Sequence, residues 1–170
     1  MNFTTAQEFI LRECFVLAWG ASVQRTGLYK PDTNHEDFQA NVILYVRHHL
    51  LPMYVEGVSE EQHLTNLQNL VAEATTYGIS VLKDGYRYGI AQKLLNLILK
   101  YLWCLGHIAE PPHCPIDRIV IDKTSLKGRV NWTEIKDQTQ YLRVIEKVKG
   151  LAGTKQLSVA QWELEYYSRR

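Results

Sequence analysis

The segment Ile90 to Leu105 is the strongest constraint on what this chain can fold into. Wound at 3.6 residues per turn, Leu94, Leu95, Leu97, Ile98, Leu99, Tyr101, Leu102 and Trp103 point in nearly every direction. A helix that is apolar all round cannot lie on a surface, because most of its area would stay in water. The segment therefore predicts a central, buried helix around which the rest of the chain is arranged. A chain of 170 residues, 46% apolar and 22% charged, has the length of one domain and enough apolar surface to build such a core without metals or disulfides.

The flanking segments read as further helices. Thr5-Ala-Gln-Glu8 has the pattern of a capping box, and Phe9, Ile10, Cys14, Leu17 and Ala18 follow at helical spacing, toward an end between Gly20 and Gly27. Phe38, Val42, Tyr45 and Val46 continue a second helix that Pro52 stops. Ser59-Glu-Glu-Gln62 opens a third, with Leu64, Leu67, Leu70, Val71 and Ala74 on its apolar face. Asp84 to Gly89 is a turn in which Gly85 and Gly89 can take positive φ. Beyond the central helix, Pro111, Pro112 and Pro115 impose an extended passage, and Arg118-Ile-Val-Ile121 reads as a short strand or an extended segment on the core. Thr133 to Lys149 and Ser158 to Ser168 fit two more helices, the last opened by Ser158-Val-Ala-Gln161. The expected fold is mainly α: a compact single domain over residues 1–170, a bundle of about six helices with a Pro-rich extended segment around 111–121.

Cys14, Cys104 and Cys114 are odd in number and widely spaced, which fits a reducing compartment and predicts a cytoplasmic protein. Glu8, Arg12 and Glu13 interrupt the first apolar stretch, so it reads neither as a leader nor as an anchor. No run reaches the ~18 uncharged apolar residues of a spanning helix, and no membrane partner is expected.

Chemistry is concentrated between Gly85 and Arg118. Gln92, Lys93, Asn96 and Lys100 fall on one narrow stripe of the otherwise apolar central helix. The stripe is either the helix's solvent-facing edge or the wall of a polar groove, since an unpaired buried ammonium is costly. Pro111-Pro-His-Cys-Pro-Ile-Asp117-Arg118 holds Asp117 on a stiff loop. Asp117 could cap a turn, pair with Arg118 or Lys123, or meet a lysine of the helix in the kind of pairing that perturbs proton affinity.

Gly89-Ile90-Ala91-Gln92-Lys93 followed by Pro115-Ile116-Asp117 resembles the catalytic segment of the helix-hairpin-helix DNA glycosylases. In that family a Gly-hydrophobic-Gly hairpin opens a helix, a lysine near its start acts as nucleophile, and an aspartate follows a Pro-hydrophobic pair. The resemblance implies Lys93 as the Schiff-base lysine and Asp117 as the catalytic aspartate. Gly85, Arg87, Gly89, Gln92, Asn96, Lys100 and Arg118, in and around the same segment, are the expected nucleic-acid or ligand contacts. The chain departs from the pattern at Ala91, where the second hairpin glycine would stand, and at Leu95, where a small residue is usual.

Charge is uneven. Residues 1–92 hold 6 Lys/Arg against 10 Asp/Glu, a net −4, and residues 93–170 hold 13 against 8, a net +5. Trp132, Tyr141, Trp162, Tyr166 and Tyr167 mix there with Arg143, Lys147, Lys149, Arg169 and Arg170, as in contacts to DNA or RNA or in amphipathic helices packing on a core. Cys104, His107, His113 and Cys114 are poorly spaced for a tetrahedral metal, and adjacent His48 and His49 face different ways, so no metal site is expected. No phosphate loop, dinucleotide fingerprint or Gly-x-Ser-x-Gly elbow is present, and no cofactor is expected. The functional expectation is a nucleic-acid-binding protein with base-excision or lyase chemistry at Lys93 and Asp117. The alternative is a non-enzymatic helical module that binds a protein or a small polar ligand.

Overall fold

The computed structural model describes residues 4–24 and 26–167. Among the described residues seven α-helices run in chain order: α1 (Thr5–Val23), α2 (Glu36–Tyr45), α3 (Glu60–Tyr77), α4 (Tyr88–Cys104), α5 (Arg118–Ile121), α6 (Gln138–Gly153) and α7 (Val159–Tyr166). The fold is mainly α, as the periodicity requires. Among the described residues the only extended pairing is an isolated bridge between Tyr29 and Leu82, which ties the loop after α1 to the loop after α3. No described helix is long and apolar enough to cross a membrane.

Helix α4 is the axis of the bundle. Ile90, Leu94, Leu95, Ile98, Leu99 and Leu102 are fully buried, and one hydrophobic core draws side chains from all seven helices. Helix α1 packs along α4, α3 and α6 cover other faces, and a 3-10 turn at Trp132–Glu134 lies over its first turn.

Helix starts follow local hydrogen-bonding chemistry, with shifts from the sequence reading. The N-cap of α1 is Thr4, one residue before the expected Thr5: Thr4 Oγ1 accepts from Gln7 N at 3.3 Å and Gln7 Oε1 accepts from Thr4 N at 2.9 Å. Ser59 caps α3, but the Gln62 side chain turns away and donates to Asn66 Oδ1 at 2.9 Å. Pro52 does not end α2 abruptly; the chain continues through a π turn (Val46–Leu50) and a 3-10 turn (Leu51–Tyr54). Ser158 and Gln161 form the expected reciprocal box on α7. Ser168, where that helix was expected to end, lies outside the described residues.

Two expectations are corrected. Arg118–Ile121 is a helical turn, neither a strand nor an extended segment, because Asp117 Oδ1 accepts from Ile119 N at 2.8 Å and Val120 N at 3.1 Å and so nucleates a turn there. Helix α6 starts at Gln138, not Thr133. Asp137 supplies its cap by accepting from Gln140 N at 2.8 Å, while Ile135 is extended and its carbonyl accepts from Gly89 N at 2.9 Å.

Candidate functional site

The polar stripe on α4 is not a solvent edge. Gln92 and Asn96 have no exposed surface. The Gln92 side chain acts as a piece of backbone: Nε2 donates to Ile116 O at 2.7 Å and Oε1 accepts from Ile116 N at 3.0 Å. Nε2 also donates to Gly89 O at 2.9 Å. Asn96 Nδ2 donates to Cys114 O at 3.2 Å and to Tyr141 Oη at 3.1 Å. These amides pin the proline-rich segment to α4 in the way a neighbouring strand would, and so fix where Asp117 sits.

Asp117 divides its two oxygens between structure and site. Oδ1 caps α5, and Oδ2 faces Lys93 Nζ at 3.6 Å and accepts from Tyr167 Oη at 3.5 Å. The Lys93 ammonium also lies 4.2 Å from the centre of the Trp132 ring. Both side chains of the pair are only 11% exposed. Burial lowers the proton affinity of Lys93, and Asp117 offsets part of that by stabilising the ammonium. Two turns along α4, Lys100 Nζ pairs with Glu163 Oε2 at 2.6 Å and lies 4.8 Å from the Tyr167 ring centre. Glu163 is buried, which raises its pKa, while Lys100 works in the opposite direction. Lys93, Lys100, Asp117, Glu163, Tyr101 and Tyr167 line one cleft of about 510 Å³.

The other expected contacts are distributed differently. Gly85 adopts φ +75° and Arg87 donates to Thr26 O at 2.5 Å; both line a separate cavity of about 660 Å³ with Asp84, Glu134 and Lys136. Gly89 is helical, without the positive φ available to it in a turn. Its missing side chain instead admits the Trp132 carbonyl, since a Cβ there would lie 1.8 Å from that oxygen. Arg118 adjoins Asp117 in sequence but projects into solvent, its side chain 87% exposed and 4.0 Å from Asp122. Lys149 is held by Glu60 at 2.8 Å and Glu146 at 2.9 Å.

Glu163, Tyr167 and Trp132 complete the site. The two aromatics stand out in the sequence as large rings in a basic half, but nothing local pairs Glu163 with Lys100 across a separation of 63 residues.

Behind the cleft a polar network crosses the core. His113 Nε2 lies 3.1 Å from Glu60 Oε1, and its Nδ1 lies 3.0 Å from Tyr141 Oη. With the proton on Nε2, His113 donates to Glu60 and accepts from the tyrosine hydroxyl. The His63 ring meets that of His113 edge-on at 4.9 Å, and His63 Nδ1 lies 2.8 Å from Tyr54 Oη. Cys114 is buried and Cys104 is exposed at the end of α4. Among the described residues no group of three or more His, Cys, Asp or Glu side chains could hold a metal ion.

Burial lowers the pKa of both histidines, that of His63 to about 3. A depressed histidine takes up its proton less readily folded than unfolded. Stability is thus fully present above about pH 6.5 and falls as the pH drops toward the folded value. Each such histidine contributes at most about 1.4 kcal/mol per pH unit. Urea midpoints between pH 6.5 and 5 are expected to fall with acidification, and His63→Gln is expected to flatten the slope by up to one proton. An unchanged slope in His63→Gln would remove His63 as the cause.

Comparison of the chain with protein-family models, curated proteins and solved structures gives no match.

Proposed function

We propose that the protein binds DNA and that Lys93 and Asp117 form an imine-forming site acting on a deoxyribose aldehyde, in the manner of a DNA glycosylase with lyase activity. The observation that carries this reading is the desolvated Lys93 ammonium, 3.6 Å from a carboxylate held in place by its own capping bonds, on the wall of a cleft of about 510 Å³. That volume falls within the roughly 300–1,000 Å³ range of small-molecule sites, enough for an extruded sugar and base.

The chemistry follows from the two groups. Burial makes the neutral amine of Lys93 easier to reach, and Asp117 Oδ2 is placed to receive the proton. The amine adds to the C1′ aldehyde of an opened sugar to give a carbinolamine, and the proton returned by Asp117 leaves with the hydroxyl as water, forming the protonated imine with the Asp117 carboxylate beside it. Where a base is still attached, the Asp117 carboxylate stabilises the positive charge that develops on the sugar as the glycosidic bond breaks.

A second reading is a non-enzymatic module that binds a small polar ligand. It draws on the Lys100–Glu163 pair, which gives the cleft two ammonium groups and two carboxylates suited to a zwitterion.

Borohydride trapping separates the two. Wild-type protein is expected to form a covalent adduct with an abasic duplex, Lys93→Gln to lose it, and Asp117→Asn to slow base release more than it weakens binding. Surface amines react slowly with any abasic site, so only Lys93-dependent trapping counts. Equal trapping by wild type and Lys93→Gln across a panel of lesions would leave the ligand-binding module.

A further inference from the structure

Part of the basic excess of the C-terminal half borders one groove, whose lining sets three arginines against the carboxylates of Asp122 and Glu134. Arg118, Arg129 and Arg143 line two adjoining depressions that share Arg129, Val130, Asn131 and Glu134. The depressions measure about 260 and 380 Å³ and together run from the start of α5 to the first turns of α6. Lys123, Lys127 and Lys136 are exposed on the same stretch of chain. Between 118 and 143 there are six Lys/Arg and three Asp/Glu. Among the described residues no ion pair engages Arg129 or Arg143, whereas Lys149 of the same half is occupied by Glu60 and Glu146.

Two residues relate the groove to the Lys93–Asp117 pair. Trp132 is among the residues that line it, and the Trp132 ring lies 4.2 Å from Lys93 Nζ. Arg118 at the groove's other wall follows Asp117 directly. A polyanion lying along the three guanidiniums would pass beside the Lys93–Asp117 pair. Guanidinium forks match phosphate oxygens, and an aromatic ring at the edge offers a stacking face to a base.

We propose that the groove from Arg143 through Arg129 to Arg118 binds the phosphodiester backbone of a nucleic acid and delivers it to Lys93. This rests on the reading of Lys93 as an imine-forming lysine, and it identifies the surface that feeds that site. The three arginines contact phosphates, and Trp132 separates the backbone track from the amine.

The experiment is fluorescence anisotropy with undamaged DNA and RNA oligonucleotides over a series of salt concentrations, run beside borohydride trapping on an abasic duplex. The proteins are the full chain, an Arg129→Gln/Arg143→Gln double variant and, as a control on exposed charge elsewhere, Lys147→Gln. All three positions are exposed, so folding is expected to persist and is checked by circular dichroism. The double variant is expected to bind about ten-fold or more weakly at low salt, with the slope of log affinity against log salt reduced by about two, one per lost phosphate contact. Lys147→Gln is expected to stay within about two-fold of wild type. Trapping by the double variant is expected to fall at limiting DNA and to recover at saturating DNA, because its chemistry is intact.

Preference for DNA over RNA in the same groove identifies the source of the phosphodiester; equal affinity leaves both as ligands of the proposed surface. Lys93-dependent trapping with unchanged affinity and slope in the double variant would overturn the groove while sparing the imine site. Arginine-dependent binding without trapping would support the groove and overturn the chemistry. Binding to anionic vesicles in preference to both oligonucleotides would overturn the groove as a nucleic-acid surface.

Discussion

Replacing Gln92 by alanine is expected to lower the unfolding free energy by about 3–5 kcal/mol. The side chain is wholly buried and bonds both the N–H and the C=O of Ile116, so its loss orphans two backbone groups that water does not reach. Each orphan costs roughly 1–3 kcal/mol, and the space left behind adds to that. In a chain of this size such a loss corresponds to a drop in melting temperature on the order of 10 °C. The effect extends to the site, because Ile116 is the residue before Asp117. Released from α4, the segment no longer holds Oδ2 opposite Lys93, and the imine chemistry proposed for Lys93 is expected to fall even well below the melting transition. Chemical denaturation and thermal melts measure the first effect. A loss below about 1 kcal/mol would mean that the proline-rich segment needs no amide clamp.

The second large effect is expected at Gly89. An alanine Cβ would lie 1.8 Å from Trp132 O and 3.2 Å from Ile135 Cβ, and the first of these is backbone that no rotamer change can move. The 3-10 turn at 132–134 would have to withdraw, breaking the Gly89 N to Ile135 O hydrogen bond of 2.9 Å. Overpacking and the lost bond together are expected to cost about 2–4 kcal/mol. The same displacement pulls Trp132 from Lys93, so tryptophan fluorescence should change along with stability. Gly150→Ala in α6 provides the contrast. A Cβ there meets nothing within 4 Å, and a helical glycine replaced by alanine is expected to gain about 0.5–1 kcal/mol. If both substitutions had the same sign, close backbone approach would not be what Gly89 provides.

These two residues mark where local reading stops. Gly89 was visible as a glycine at a turn, and the natural inference was a positive φ. Its use is a contact with a carbonyl from 43 positions further along the chain, which no window around Gly89 contains. Gln92 and Asn96 were visible as polar residues on an apolar helix, a pattern shared by an exposed edge and a buried clamp. Their full burial decides between the two. Asp117 was open to a capping role and to a pairing role, and it performs both because its two oxygens point to different partners.

By itself, the sequence determined the helical class and the central position of the Ile90–Leu105 segment. Each of these follows from interactions within a few residues: apolar periodicity, capping side chains, and prolines that cannot continue a helix. Tertiary structure alone decided that Lys93 meets Asp117 and Trp132, that Lys100 meets Glu163, and that Lys149 is neutralised by Glu60. The reason is that burial and charge pairing depend on distances between elements. Those distances are set by how whole helices pack, and the spacing of residues along the chain does not contain them.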